Sequence, residues 1–179
     1  MRDFVFAHFE HVLASLLLVS RLGDVLSTYL MTPKLKLEAN PVVRRLRWPF
    51  AAATLLFCVV PYISTFAAVM ALVPFLFVSA SNLSRVWMAR ALGEEAYLEL
   101  LMTAARRTKL WHAVGCVLGA SAFVGLAGLV LSVDDGHDWG LPFSLGLILY
   151  SLIQALYGTL FCLRIFRAAR RTPILAALA

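Results

Sequence analysis

The chain has 179 residues, of which 61% are hydrophobic and 15% charged, with a formal net charge of +6 and a mean hydropathy of +0.84. No soluble core of this size hides that much apolar surface, so the composition excludes an ordinary water-soluble globule and makes lipid the solvent for much of the chain. A nucleic-acid binder is excluded too, because the Lys and Arg residues sit in gaps between apolar runs and not along one aqueous face.

A membrane-spanning helix needs about 20 mostly apolar residues. The first such run is 9–31. It has no positively charged leader or small-residue cleavage site and carries Arg21 and Asp24, so it is expected to remain as a true span. Residues 49–84 contain no charge and suit either one long tilted helix or two helices joined by a tight turn; Pro61-Tyr62-Ile63-Ser64-Thr65 favours the turn. The result is a short span at 49–62 and a longer one at 64–86. Two more spans follow at 112–133 and 142–165. Ahead of the fourth, 94–109 places Tyr97, Leu98, Leu101, Met102 and Ala105 on one side at helical spacing. That stretch reads either as a helix lying at the cytoplasmic surface or as an extension of the third span. The expected fold is all-α, a single integral membrane domain over 1–179 built as a polytopic helical bundle of about five spans.

Orientation follows from the loops, since Lys and Arg accumulate on the cytoplasmic side. Residues 32–48 hold Lys34, Lys36, Arg44, Arg45 and Arg47; residues 85–110 hold Arg85, Arg90, Arg106, Arg107 and Lys109; the tail holds Arg164, Arg167, Arg170 and Arg171. Asp134-Asp135-Gly136-His137-Asp138 has no Lys or Arg and belongs outside. An N-out, C-in arrangement in a bacterial-type inner membrane satisfies every loop, whereas four spans would put one large basic loop outside. Trp48, Trp87, Trp111 and Trp139 each fall at an expected helix end, where indole rings favour the interface.

Chemistry-bearing residues begin in the first span, where Arg21, Asp24 and Thr28 share one helical face. A charge at depth costs at least about 2.5–3.5 kcal/mol, which makes such residues functional candidates, although Arg21 can simply neutralise Asp24. Next comes Glu38-Ala39-Asn40-Pro41, whose plain reading is a helix start with Asn40 as N-cap and Pro41 at the first helical position. With the N-terminus outside, Asp24 and Thr28 lie next to that loop, and Asn82 and Ser84 share their depth. Asp24, Thr28, Glu38, Asn40 and Asn82 are oxygen-bearing. They suit a polar clasp between helices, which is the expectation, or a hard cation such as Mg²⁺, Ca²⁺ or Na⁺.

Asp24-x-x-x-Thr28 on a first span followed by Glu38-x-Asn40-Pro41 resembles the small prokaryotic membrane proteins grouped as domain of unknown function 5658, over the first third of the chain. The resemblance implies a polytopic membrane fold and no particular activity.

His8 and His11, joined by His137 from the outer loop, are the weak metal candidates; without the His-Glu-x-x-His pattern they read as interfacial histidines. Cys58, Cys116 and Cys162 show no pairing motif and read as small buried residues. Gly115-x-x-x-Gly119, with Ala122 and Gly125, offers close helix approach, and Gly146, Tyr150, Gln154 and Gly158 recur every fourth residue in the last span. Partners for these faces could come from this chain, a second copy or another protein. No phosphate loop, nucleophile elbow or haem attachment motif occurs. No catalytic residue, metal or cofactor is assigned. The expected function is a non-enzymatic accessory protein or complex subunit whose basic face meets anionic lipid headgroups. The alternative is an intramembrane hydrolase or an ion-binding or transport protein using Asp24, Thr28, Glu38 and Asn40.

Overall fold

The computed structural model of the protein describes residues 8–133 and 140–171, which contain helices and no strand. The acidic loop, with His137 and Trp139, lies outside the described residues. In chain order the elements are α1 (Phe9–Met31), α2 (Pro41–Ala53), a 3-10 segment (Thr54–Tyr62), α3 (Thr65–Leu92), α4 (Glu94–Arg107), α5 (Leu110–Ser132) and α6 (Gly140–Arg171). Among the described residues, α1, α3, α5 and α6 are long and apolar enough to cross a membrane. Their outer faces are bare hydrocarbon: Phe123 is 78% exposed and Val130 71%. Such a surface would aggregate in water and is the normal exterior in lipid. The chain is a helical multi-pass membrane protein.

The expected short span at 49–62 takes a form that periodicity did not suggest. Arg47 adopts φ 60, ψ −155, which breaks α2 just before Trp48-Pro49; Pro49 and Pro61 then remove backbone donors, and 54–62 winds as a 3-10 helix.

Contacts fix how the elements run. His11 shares a 2.8 Å hydrogen bond with Tyr62 just before α3 begins, and Ser20, Asp24 and Thr32 on or just after α1 meet Ser79, Asn82 and Glu94 in turn. Helices α1 and α3 are therefore parallel. Helix α6 is parallel to them, since Gly146 lies against Val73 and Tyr150 against Phe77. Helix α5 is antiparallel to α6, with Val117 facing Gly158 and Gly128 facing Leu147. The ends of α1, α3 and α6 thus gather at one end of the bundle, together with the 32–40 loop, α4 and most of the Lys and Arg residues.

Helix α4 is separate from α3, not an extension of it. Gly93, at φ 80, supplies a left-handed turn that other residues rarely adopt, and Ser64 caps the other end of α3 by accepting the Ala67 N–H. Tyr97 packs with Leu37 and Ala89, and Ala105 with Ile165, Phe166 and Ala169. The apolar face expected at Tyr97, Leu98, Leu101, Met102 and Ala105 is the face that is covered.

Glycines show where helices touch. A Cβ at Gly146 would stand 2.8 Å from the Val73 Cβ and 2.9 Å from the Met70 carbonyl oxygen, whose usual donor is missing at Pro74. A Cβ at Gly158 would stand 2.7 Å from Val117 Cγ1, and one at Gly128 2.9 Å from the Ser144 oxygen. The i, i+4 row from Gly146 to Gly158 does not serve one neighbour: each step overshoots a full turn by about 40°, so Gly146 faces α3 and Gly158 faces α5. Gln154, between them in sequence, is half-buried. Gly115 and Gly119 correct the expectation for this chain's own packing, because a Cβ at either would meet nothing within 4 Å. Gly119 and Gly128 are nine residues apart, about half a turn out of phase, and it is Gly128 that faces α6. Cys116 is likewise exposed, while Cys58 and Cys162 are half-buried.

Candidate functional site

The site grows from α1. Arg21 and Asp24 stand one turn apart, and Arg21 Nη1 donates to Asp24 Oδ2 at 2.6 Å with only 11% and 14% of the two side chains exposed. Arg21 Nη2 donates to Thr54 Oγ1 on the 3-10 segment, and Thr54 in turn donates to the Ala51 carbonyl. The guanidinium carbon lies 4.5 Å from the centre of the Phe75 ring, a cation–π contact that helps a desolvated charge. Arg21 Nε is buried without a hydrogen-bond partner among the described residues.

From α3, Asn82 Nδ2 donates to Asp24 Oδ1 at 2.9 Å and lies 3.3 Å from Thr28 Oγ1. One turn earlier, Ser79 donates to the Ser20 carbonyl at 2.6 Å. Gly23 faces Ser79 at this crossing, where a Cβ would stand 3.5 Å from Ser79 Oγ, an ordinary contact. Both carboxylate oxygens of Asp24 are therefore occupied, one by a cation and one by an amide. The three elements α1, α3 and the 3-10 segment are pinned at this depth.

Glu38 and Asn40 belong to a neighbouring network. Glu38 Oε1 accepts the Asn40 N–H at 2.7 Å, and Asn40 Oδ1 caps α2 by accepting the Val42 N–H at 2.9 Å. Burial pushes the Glu38 carboxyl above its usual range; the Asp24 charge pushes the same way, while the Asn40 N–H and the Arg164 guanidinium pull it down. The two acids thus feel each other electrostatically, but their hydrogen bonds go to different partners.

The loop holding Glu38 is clasped from two sides. Glu94, at the start of α4, accepts the N–H groups of Lys34 at 3.0 Å and Lys36 at 2.7 Å and the Thr32 hydroxyl. Arg164 on α6 donates to the Glu38 carbonyl at 2.7 Å and the Lys36 carbonyl at 2.6 Å. Beside Glu94, the Lys36 ammonium bonded to Glu95 holds that exposed carboxyl below its usual range.

Of the five candidate residues, Asp24, Thr28 and Asn82 meet directly, while Glu38 and Asn40 meet each other. Sequence reasoning missed Ser20, Thr54, Phe75, Ser79, Glu94 and Arg164. One signal was readable: Ser79-x-x-Asn82 puts two polar groups on one face of an apolar helix. Among the described residues no three His, Cys, Asp or Glu side chains converge for a metal. His8 and His11 lie 6.1 Å apart by ring centroids, with His11 engaged by Tyr62, and His137 lies outside the described residues. The geometry is that of a polar clasp between α1, α3 and the 3-10 segment, with Arg21 Nε the one buried group of the clasp that lacks a partner among the described residues. No family model, curated protein or solved structure matches this chain.

Proposed function

We propose that the protein is a five-span accessory or complex subunit of a bacterial-type inner membrane, with its N-terminus outside and its basic end in the cytoplasm. The observation that carries the accessory reading is the engagement of Asp24: Arg21 bonds one of its oxygens and Asn82 the other, so the carboxylate is spent on neutralising Arg21 and tying α1 to α3. The shared Asp24, Thr28, Glu38, Asn40 and Pro41 pattern supports kinship with domain of unknown function 5658.

Five crossings are supported by the parallel run of α1 and α3, which obliges the chain between them to return across the same thickness. From His11 to Tyr29, α1 rises about 27 Å. Trp48 sits beside Tyr29, and Tyr62 beside His11. Six α-helical residues and nine 3-10 residues rise about 9 Å and about 18 Å, which covers the same distance because a 3-10 helix climbs about 2 Å per residue. Gly115 and Gly119, bare on α5, suit a transmembrane helix of a second copy or of another protein. The basic end suits anionic lipid headgroups.

The test is complementation of a deletion strain that has a growth phenotype. Arg21→Gln alone strands a buried carboxylate and is expected to lose about 3–5 kcal/mol of stability and most membrane abundance by immunoblot. Arg21→Gln/Asp24→Asn removes both charges, and is expected to restore abundance and growth. Loss of growth by the double variant at normal abundance would sink the clasp and favour the hydrolase or ion-handling alternative, in which Asp24 acts as a carboxylate.

A further inference from the structure

Where α4, α5 and α6 meet at the basic end, a cleft of about 930 Å³ opens to the outside. Its rim carries three cations, Arg106, Lys109 and Arg170, with no acid among the lining residues. Its walls are apolar, with Val114, Phe166 and Ala169, and Trp111 stands at the lip, 65% exposed. Arg106 is positioned by its Nε–H bond to the Ala169 carbonyl at 3.2 Å. Helix α5 starts here at Leu110, and its N-cap, Lys109, makes no side-chain cap bond. The first-turn N–H groups and the helix dipole therefore add to the positive field of the rim.

A second hollow of about 180 Å³ adjoins this cleft, sharing Ala105, Thr108 and Phe166 and continuing among Leu101, Ala113 and Ile165. The two lie side by side and both open to the surface, one rimmed by cations and the other lined by hydrocarbon. A free anion would use only the cationic rim, and an apolar ligand only the hydrocarbon hollow. A phosphate attached to an acyl chain satisfies both halves.

We propose that this cleft binds one anionic phospholipid, its phosphate held by Arg106, Lys109 and Arg170 and one acyl chain entering the hollow lined by Phe166 and Ile165. The proposal rests on the reading that this end of the bundle lies at a membrane surface. It concerns different residues from the Arg21–Asp24 clasp, so complementation and lipid binding fail independently.

The experiment is native mass spectrometry of the purified full-length protein in a zwitterionic detergent, offered equal amounts of phosphatidylglycerol and phosphatidylcholine with the same acyl chains. One phosphatidylglycerol is expected to be retained per chain with roughly tenfold preference. Arg106→Gln/Lys109→Gln/Arg170→Gln is expected to abolish the preference. Lys109→Gln/Arg170→Gln, which keeps the Arg106 bond to Ala169, is expected to reduce it. Arg44→Gln/Arg45→Gln/Arg47→Gln, with the same charge removed from another part of the basic end, is expected to keep it. No preference in the natural protein, or equal loss in the two triple variants, overturns the site in favour of diffuse attraction. Displacement of the lipid by an equal concentration of soluble glycerol phosphate overturns the acyl half.

Discussion

An arginine at mid-depth is the most demanding residue in this chain, and its surroundings show how the demand is met. Arg21 is offered a carboxylate, a hydroxyl and an aromatic face from three different segments, and no one of these alone would offset the loss of water around a guanidinium. Glu38 poses the opposite case. Its carboxyl is raised by burial, so the folded chain holds that proton more tightly than the unfolded chain does. Stability should then fall as pH rises from the ordinary carboxylate range through the raised value, and stay lower above it. Glu38→Gln keeps an oxygen for the Asn40 N–H and cannot ionise. Its melting temperature is expected to exceed that of the natural protein near neutral pH, and the difference to vanish at acidic pH. A natural protein with a higher melting temperature than the variant at neutral pH would show that ionised Glu38 is favourable.

At the scale of elements, what could be read from the residues depended on how local the cause was. Helix α1 lies where its apolar run lies, and the turn at Pro61 to Thr65 falls where Ser64 caps α3, because caps and apolar runs act within a few residues. The 3-10 form of 54–62 was not readable, since Pro49 and Pro61 mark where backbone donors are lost but not which helical form the residues between them take. Which small residues make contact was not readable either. Gly115-x-x-x-Gly119 has the spacing of a packing motif, yet the contact falls to Gly128 because the phase of α5 is chosen by α6. Two alanine substitutions separate these roles. Gly146→Ala drives a methyl into Val73 and the Met70 carbonyl and is expected to destabilise by about 1–3 kcal/mol. Gly119→Ala meets open space and is expected to be neutral or slightly stabilising, by up to about 1 kcal/mol. Unfolding by a denaturing detergent, followed by circular dichroism, checks both, and similar losses at the two sites would contradict the packing.

For the whole molecule, the decisive fact is that α1, α3 and α6 run the same way. Joining them in sequence takes two return paths: α5 is the one between α3 and α6, and 48–62 is the one proposed between α1 and α3. The consequence is measurable with single cysteines in a background lacking Cys58, Cys116 and Cys162. Ile63→Cys, 82% exposed in the natural residue, is expected to react with a membrane-impermeant maleimide from the periplasmic side. Arg45→Cys, exposed on the other side of 48–62, is expected to react only after the membrane is opened. Labelling of both positions from the same side would contradict the crossing at 48–62. Charge bias is legible in sequence because it is a property of loops; the Glu94 and Arg164 contacts were invisible there, being made between residues 58 to 128 positions apart.

The Arg164 clasp also sets an order of assembly. A chain inserted as it leaves the ribosome has Lys36 and Glu38 in place long before residue 164 exists. Until α6 arrives, the 32–40 loop is held by Glu94, by Glu95 and by the Trp48 bond to the Pro33 carbonyl, but the Lys36 and Glu38 carbonyls lack their Arg164 donor. Helix α6 therefore acts as a latch, and a nascent chain interrupted before it presents the basic loop without the Arg164 fastening.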